Sequence, residues 1–171
     1  MPRYVAFLRG VMPTNAKMTE LKRCFEAAGF TDVKTVLGSG NVVFNAKSGT
    51  LSSLERKAEA SMRKHLGRSF YTIVRATSAL RDLLQTDPYA GFRVRPNAKR
   101  VVTFLRSPCK IKPQLPVEAQ GARVLAVTGC EIFTVYVRGP STPVFMTLIQ
   151  KTFGADLTTR TWDTVRKCAE A

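Results

Sequence analysis

An apolar run from Tyr4 to Leu8 is bounded by Arg3 and Arg9, and the Tyr, Val, Phe and Leu content of this stretch predicts a strand. The period then lengthens: between Met18 and Ala28, the residues Leu21, Cys24, Phe25 and Ala28 share one helical face, and Gly29 supplies a stop. Strand spacing returns at Val33 to Leu37 and Asn41 to Ala46, joined through Gly38-Ser39-Gly40 in a hairpin whose glycines permit positive φ. Ser52 with Glu55 three residues later predicts a capping box, after which Leu54, Ala58, Met62 and Leu66 recur at helical spacing up to Gly67. A last strand spans Phe70 to Arg75.

The order β-α-β-β-α-β predicts a ferredoxin-like unit, in which a four-stranded antiparallel sheet carries two helices on one face. The second half restarts the pattern. Val5-Ala6-Phe7-Leu8-Arg9 returns as Val102-Thr103-Phe104-Leu105-Arg106, and Gly40-Asn41-Val42-Val43-Phe44 returns as Gly129-Cys130-Glu131-Ile132-Phe133. A short helix near Ser78 to Gln85 and a Pro- and Arg-containing passage from Asp87 to Lys99 separate the halves. Strands follow at Lys99 to Arg106, and at Arg123 to Val127 and Glu131 to Arg138 around Thr128-Gly129. Thr142-Pro143 opens a helix that Gly154 closes, and Thr158 to Arg160 forms a short strand. Pro108, Pro113 and Pro116 make the crossover between Ser107 and Gly121 short or irregular. Thr161 N-caps a terminal helix with Trp162, Val165 and Ala169 on its apolar stripe, where Trp162 reads as a core anchor. The expected fold is α+β: a tandem repeat of two ferredoxin-like βαββαβ units with antiparallel sheets, plus a C-terminal helix. Its divisions are residues 1–77, a bridge over 78–98, and residues 99–171, which together can form one domain.

At 171 residues, 44% hydrophobic and 23% charged, the chain has the make-up of an ordinary globular protein with an independent core. Its apolar runs are far shorter than the ~20 residues of a membrane span, and the N-terminus has no secretory h-region, so a cytoplasmic location is expected. Cys24, Cys109, Cys130 and Cys168 never form a C-x-x-C pair, which predicts buried thiols in a reducing compartment. His65 is the only histidine and falls in the last turn of a basic helix, where a cation complements the dipole. Acidic residues are few and scattered, and neither a Walker loop nor a G-x-G-x-x-G fingerprint is present. These residues single out no catalytic group, no metal ligands and no cofactor.

Charge changes the picture. Lys and Arg number 27 against 12 acidic residues, a balance of +15, of which +8 lies in residues 1–77 and +7 in residues 78–171. Such an excess attracts polyanions, with nucleic acid or a phosphorylated small molecule as candidate partners and no membrane. Arg56, Lys57, Arg63 and Lys64 occupy one arc of the second helix and form a basic stripe suited to phosphates; a solvated helix face is the ordinary alternative. In the bridge, Arg93 and Arg95 accompany Tyr89, Phe92, Lys99 and Arg100, the mixture of cations and aromatics used on single strands, or else a linker pinned by its aromatics. A right-handed β-α-β crossover brings Gly10 to Lys17 beside Gly38 to Asn41. That edge gathers Arg9, Asn15, Lys17, Ser39 and Asn41 at a helix N-terminus, with Arg160 as a further candidate, as an anion site; alternatively its glycines only make turns.

Five short motifs in order carry a resemblance: Tyr4-Val5-Ala6-Phe7-Leu8-Arg9-Gly10, Met18 opening a helix, Gly29-Phe30-Thr31-Asp32-Val33, Ser39-Gly40-Asn41-Val42-Val43-Phe44, and Thr158-Thr159-Arg160-Thr161-Trp162-Asp163-Thr164-Val165. Together they resemble the bacterial family known as domain of unknown function 1697, which implies a cytoplasmic α+β protein with ferredoxin-like halves and no established activity. The resemblance supplies no catalytic residues. Where that family has Ile-Asn-Val-Gly-Gly after its Arg-Gly, this chain has Val11-Met12-Pro13-Thr14-Asn15, a stiffer loop, and the family's Arg-Asn-Trp-Asn becomes Arg160-Thr161-Trp162-Asp163. The expected role is non-catalytic polyanion binding, and the alternative is an enzyme or sensor for a small anionic metabolite at the Arg9 to Asn41 edge.

Overall fold

The computed structural model describes residues 1–119, 121–138 and 144–171, with the side chains of all of these except Val144 and Phe145. The chain is α+β and divides into two units, Met1–Asp82 with Arg166–Ala171, and Leu83–Val165. The first contains β1 (Arg3–Leu8), α1 (Met18–Ala27), β2 (Thr31–Val36), β3 (Asn41–Asn45), α2 (Leu51–Leu66) and β4 (Thr72–Ala76), then most of α3 (Thr77–Thr86). Its sheet runs β2-β3-β1-β4 and is antiparallel throughout. One face of alternating residues, Tyr4, Ala6, Leu8, Val42 and Phe44, joins Leu21, Cys24 and Phe25 of α1 and Leu54, Ala58 and Met62 of α2 in a single apolar cluster. Phe30 and Phe44 stack at 4.3 Å between centroids at its centre. Val5, Phe7, Val43 and Ile73, on the opposite pleat, are also fully buried. Gly29 ends α1 with φ +86°, while the Phe30 amide returns to the Phe25 carbonyl.

The second unit contains β5 (Lys99–Leu105), β6 (Val117–Ala119), β7 (Ala122–Thr128), β8 (Glu131–Tyr136), α4 (Val144–Phe153), β9 (Leu157–Thr161) and the start of α5 (Trp162–Glu170). Its antiparallel sheet runs β6-β7-β8-β5-β9. No helix connects β5 to β7 among the described residues; the proline-broken crossover instead ends in the short edge strand β6, and α4 packs over β6 and β7. The expected helix start at Thr142-Pro143 lies outside the described residues, whereas Gly154 closes α4 as expected, with φ +89° and its amide on the Gln150 carbonyl. Thr161 caps α5 by accepting the Thr164 amide at 3.2 Å.

The central strands share one register. Val5 lies opposite Val43 on one side and Arg75 on the other, and Val102 lies opposite Phe133 and Arg160. The last residue of each strand donates to a hairpin turn, Leu8 to the Gly40 carbonyl and Leu105 to the Cys130 carbonyl, both at 2.8 Å. Gly40 therefore corresponds to Cys130, not to Gly129 as letter matching suggested. A one-residue slip exchanges the faces of a strand, and Phe133 occupies the pleat of Val43 rather than that of Phe44.

The capping box expected at Ser52 and Glu55 does not form. α2 begins earlier, with Thr50 as N-cap accepting the Ser53 amide at 3.1 Å, a contact worth about 1 kcal/mol. Starting there rotates Glu55 inward, where it is 4% exposed and its Oε1 accepts the Val74 amide at 3.0 Å. One turn later, Glu59 Oε1 accepts the Thr72 amide at 2.9 Å. Residues at i and i+4 of one helix thus take the amides that β4 turns away from β1. Glu55→Ala is expected to lower stability by about 1–3 kcal/mol, because the buried Val74 amide loses its acceptor. Glu55→Gln keeps a carbonyl oxygen and is expected to lose less. Urea denaturation measures both, and amide exchange at Val74 accelerates in the alanine variant.

Candidate functional site

The topology brings the first two loops together: Gly40 has φ +84°, and a Cβ there would stand 2.8 Å from the Cβ and Cγ2 of Val11. Only glycine tolerates both the conformation and this approach. The amides expected to face an anion are engaged locally. Asn15 accepts the Met12 amide at 2.9 Å and donates to the Gly10 carbonyl at 2.8 Å, closing its own loop. Asn41 is 0% exposed and donates to the Val36 carbonyl at 2.8 Å and to Ser39 Oγ at 3.0 Å, bracing the hairpin turn. Lys17 is exposed at the N-cap of α1, and Arg9 is half-buried with its amide on the Tyr71 carbonyl. Arg160 belongs to the other unit, is buried, and donates from Nη1 to Thr158 Oγ1 at 2.7 Å and to the Thr159 carbonyl at 2.9 Å. Arg75, which the sequence did not single out, is buried at the matching register position and donates to the Val74 carbonyl at 2.9 Å.

On α2 the charges sort by face. Arg56, Lys57, Arg63 and Lys64 are all exposed, opposite the buried Leu54, Ala58 and Met62. Arg56 Nη1 donates to Ser52 Oγ at 2.7 Å, and Lys57 Nζ lies 5.5 Å from the centroid of the Phe30 ring. His65 is exposed in the last turn, beside Arg63 and Lys64.

The second unit holds a cleft of about 580 Å³ whose lining includes Arg93, Arg95, Arg123 and Arg138 against one acidic residue, Glu118. Arg93 and Arg95 come from the segment before β5, Arg123 from β7, and Arg138 from just beyond β8. The hairpin register sets Arg123 opposite Val135, and the Val137 amide closes on the Gly121 carbonyl at 3.0 Å. Arg123 Nη2 donates to the Arg93 carbonyl at 2.7 Å, fixing the guanidinium against the bridge, while its Nε is buried with no partner among the described residues. Tyr136 also lines the cleft. Four guanidiniums around one concavity provide forked donors for phosphate or carboxylate oxygens. Sequence reasoning found two of the four; the predicted hairpin was the signal for Arg123 and Arg138, since it folds their neighbourhoods together.

Tyr89, weighed as a stacking residue or as a pin for its linker, is 1% exposed and anchors the core of its unit. Its hydroxyl donates to the Val101 carbonyl at 2.6 Å, and its ring meets Phe133 and Trp162 edge-on at 5.8 and 5.1 Å. Burial pushes its ionisation far above the ordinary tyrosine range. Trp162 is buried against it, as the sequence predicted. Phe92 remains exposed. Among the described residues no group of three or more His, Cys, Asp or Glu side chains could hold a metal, and no helix is long and apolar enough to cross a membrane.

A family described as "Protein of unknown function (DUF1697)" matches residues 1–133, from β1 into β8, so the motif around Arg160 lies beyond the matched stretch. No curated protein matches the chain. Among solved structures, the conserved bacterial protein SP0830 from Streptococcus pneumoniae is similar in fold, with a TM-score of 0.70 over 99% of this chain and 97% of that one at 18% identity.

The approach of the two loops yields a contrast between two glycines. Gly40→Ala is expected to cost roughly 2 kcal/mol or more, from positive φ together with the Val11 overlap. At Gly38 a Cβ meets nothing within 4 Å, and Gly38→Ala is expected to stay within about 0.5 kcal/mol of the parent. Thermal or urea unfolding of the two variants measures the difference.

Proposed function

We propose, for a chain that belongs to the DUF1697 family of unknown function, that the arginine-lined cleft of the second unit binds phosphate groups and that its physiological ligand is a nucleic-acid strand. The carrying observation is the convergence of Arg93, Arg95, Arg123 and Arg138 on one concavity. The +15 balance supports this reading, as does the exposed stripe Arg56, Lys57, Arg63 and Lys64, which adds sequence-independent attraction. Tyr136 offers a ring for a base to stack on. In this reading the protein is a cytoplasmic binding protein rather than an enzyme, and its two units are ferredoxin-like repeats, a reading supported by the common register of β1 and β5. The rival small-anion site at Arg9, Lys17, Ser39 and Asn41 is less favoured, because the Asn15 and Asn41 amides already brace their turns.

Fluorescence anisotropy with labelled single- and double-stranded DNA and RNA across a salt series tests the proposal. Binding of the parent is expected to weaken steeply with salt. Paired substitutions Arg93→Gln with Arg95→Gln, and Arg123→Gln with Arg138→Gln, are each expected to weaken it about tenfold or more, and to flatten the salt slope by roughly 0.7 for each single-strand phosphate no longer neutralised. Replacing Arg56, Lys57, Arg63 and Lys64 by Gln reports the share of the stripe. Unchanged affinity in both cleft variants sinks the cleft, and competition by inorganic phosphate without any strand binding redirects the site to a small phosphorylated ligand.

A further inference from the structure

We propose that Cys109 and Cys130 are a redox-modified pair that closes a reversible disulfide. Two backbone bonds bring them together. β5 ends at Leu105, whose amide donates to the Cys130 carbonyl at 2.8 Å, and the departing chain meets the same turn again where the Cys109 amide donates to the Gly129 carbonyl at 3.1 Å. One hydrogen bond and one peptide unit then lie between the two α-carbons, within reach of the roughly 4.4–6.8 Å that a disulfide spans.

The Cys109 amide bond seats the segment leaving β5 on the two-residue turn that carries Cys130. Both cysteines are partly exposed and pack against the same cluster of Leu105, Val124, Ile132, Ile149 and Leu157. The remaining thiols are shielded: Cys24 and Cys168 are buried, and burial, aided by the charge of Glu20, pushes the Cys24 thiol up and suppresses its thiolate. An oxidant therefore meets two adjacent reachable thiols and two unreachable ones.

With a peroxide as oxidant, one thiolate attacks a peroxide oxygen, the O–O bond breaks, and a sulfenic acid forms as water leaves. The second thiolate attacks that sulfur and displaces its oxygen as a second water. Two thiols and one hydrogen peroxide thus give one disulfide and two waters. The Cys109 thiol gives up its 3.0 Å hydrogen bond to the Ile111 carbonyl. The closed loop, residues 109–130, includes Glu118 and Arg123 from the wall of the arginine cleft, so oxidation tethers that wall to the β7–β8 turn.

The native chain is treated with hydrogen peroxide, blocked with a maleimide and digested with trypsin. The expected product links residues 107–110 to residues 124–138 with the loss of two hydrogens, is reversed by dithiothreitol, and leaves Cys24 and Cys168 blockable only after unfolding. Cys109→Ser and Cys130→Ser each abolish the link and leave the other cysteine as a sulfenic acid that dimedone traps, with circular dichroism confirming the fold. The proposal is overturned if peroxide leaves the wild-type pair unlinked, as separate sulfinic acids or as bonds between chains, or if Cys24 or Cys168 is linked as readily.

Discussion

The hydrogen bond from the Leu8 amide to the Gly40 carbonyl sets the register on which the first unit is built, and the bond from Leu105 to Cys130 does the same for the second. Because side chains alternate with period two, fixing one pair across the central strand decides which residues of every neighbour face the helices. In the first unit that choice sends Tyr4, Ala6, Leu8, Val42 and Phe44 to the cluster shared with α1 and α2. It also fixes where the chain leaves the sheet, which is why Val11 meets the hairpin turn and why residue 40 has no side chain.

Much of this was legible in the sequence because local signals agreed with one another. The glycine stops at Gly29, Gly67 and Gly154, the Thr161 cap and the period switches all fell within a few residues of the observed ends. Two misreadings have physical causes. Letter matching paired Phe44 with Phe133, but crossovers of different length shift the hairpin by a different amount from the central strand, and only main-chain pairing reveals the offset. Ser52 and Glu55 fit a capping box by spacing alone; Thr50 begins the helix first, and β4 supplies amides that attract Glu55 inward.

The candidate site was half legible for a similar reason. Arg93 and Arg95 stood out as neighbours in a basic, proline-containing passage, but Arg123 and Arg138 are ordinary residues at the base of a hairpin and acquire meaning only when the strands pair. The opposite happened at Tyr89, Asn15 and Asn41. Their side chains are right for a ligand, yet each is used by its own fold, as a core anchor or a turn brace. Chemistry that a sequence offers is available only after the backbone has taken what it needs.

The same competition has a consequence at the rim of the first sheet. A strand at a sheet edge normally presents a ladder of open amides on which another chain can polymerise. At β4 the Thr72 and Val74 amides are occupied by Glu59 and Glu55, so an incoming strand would have to evict two carboxylates before it could add a rung. Helix α2 thus keeps its acids for the sheet and its cations for solvent. It denies that border to amyloid-like growth without giving up its cationic outer face.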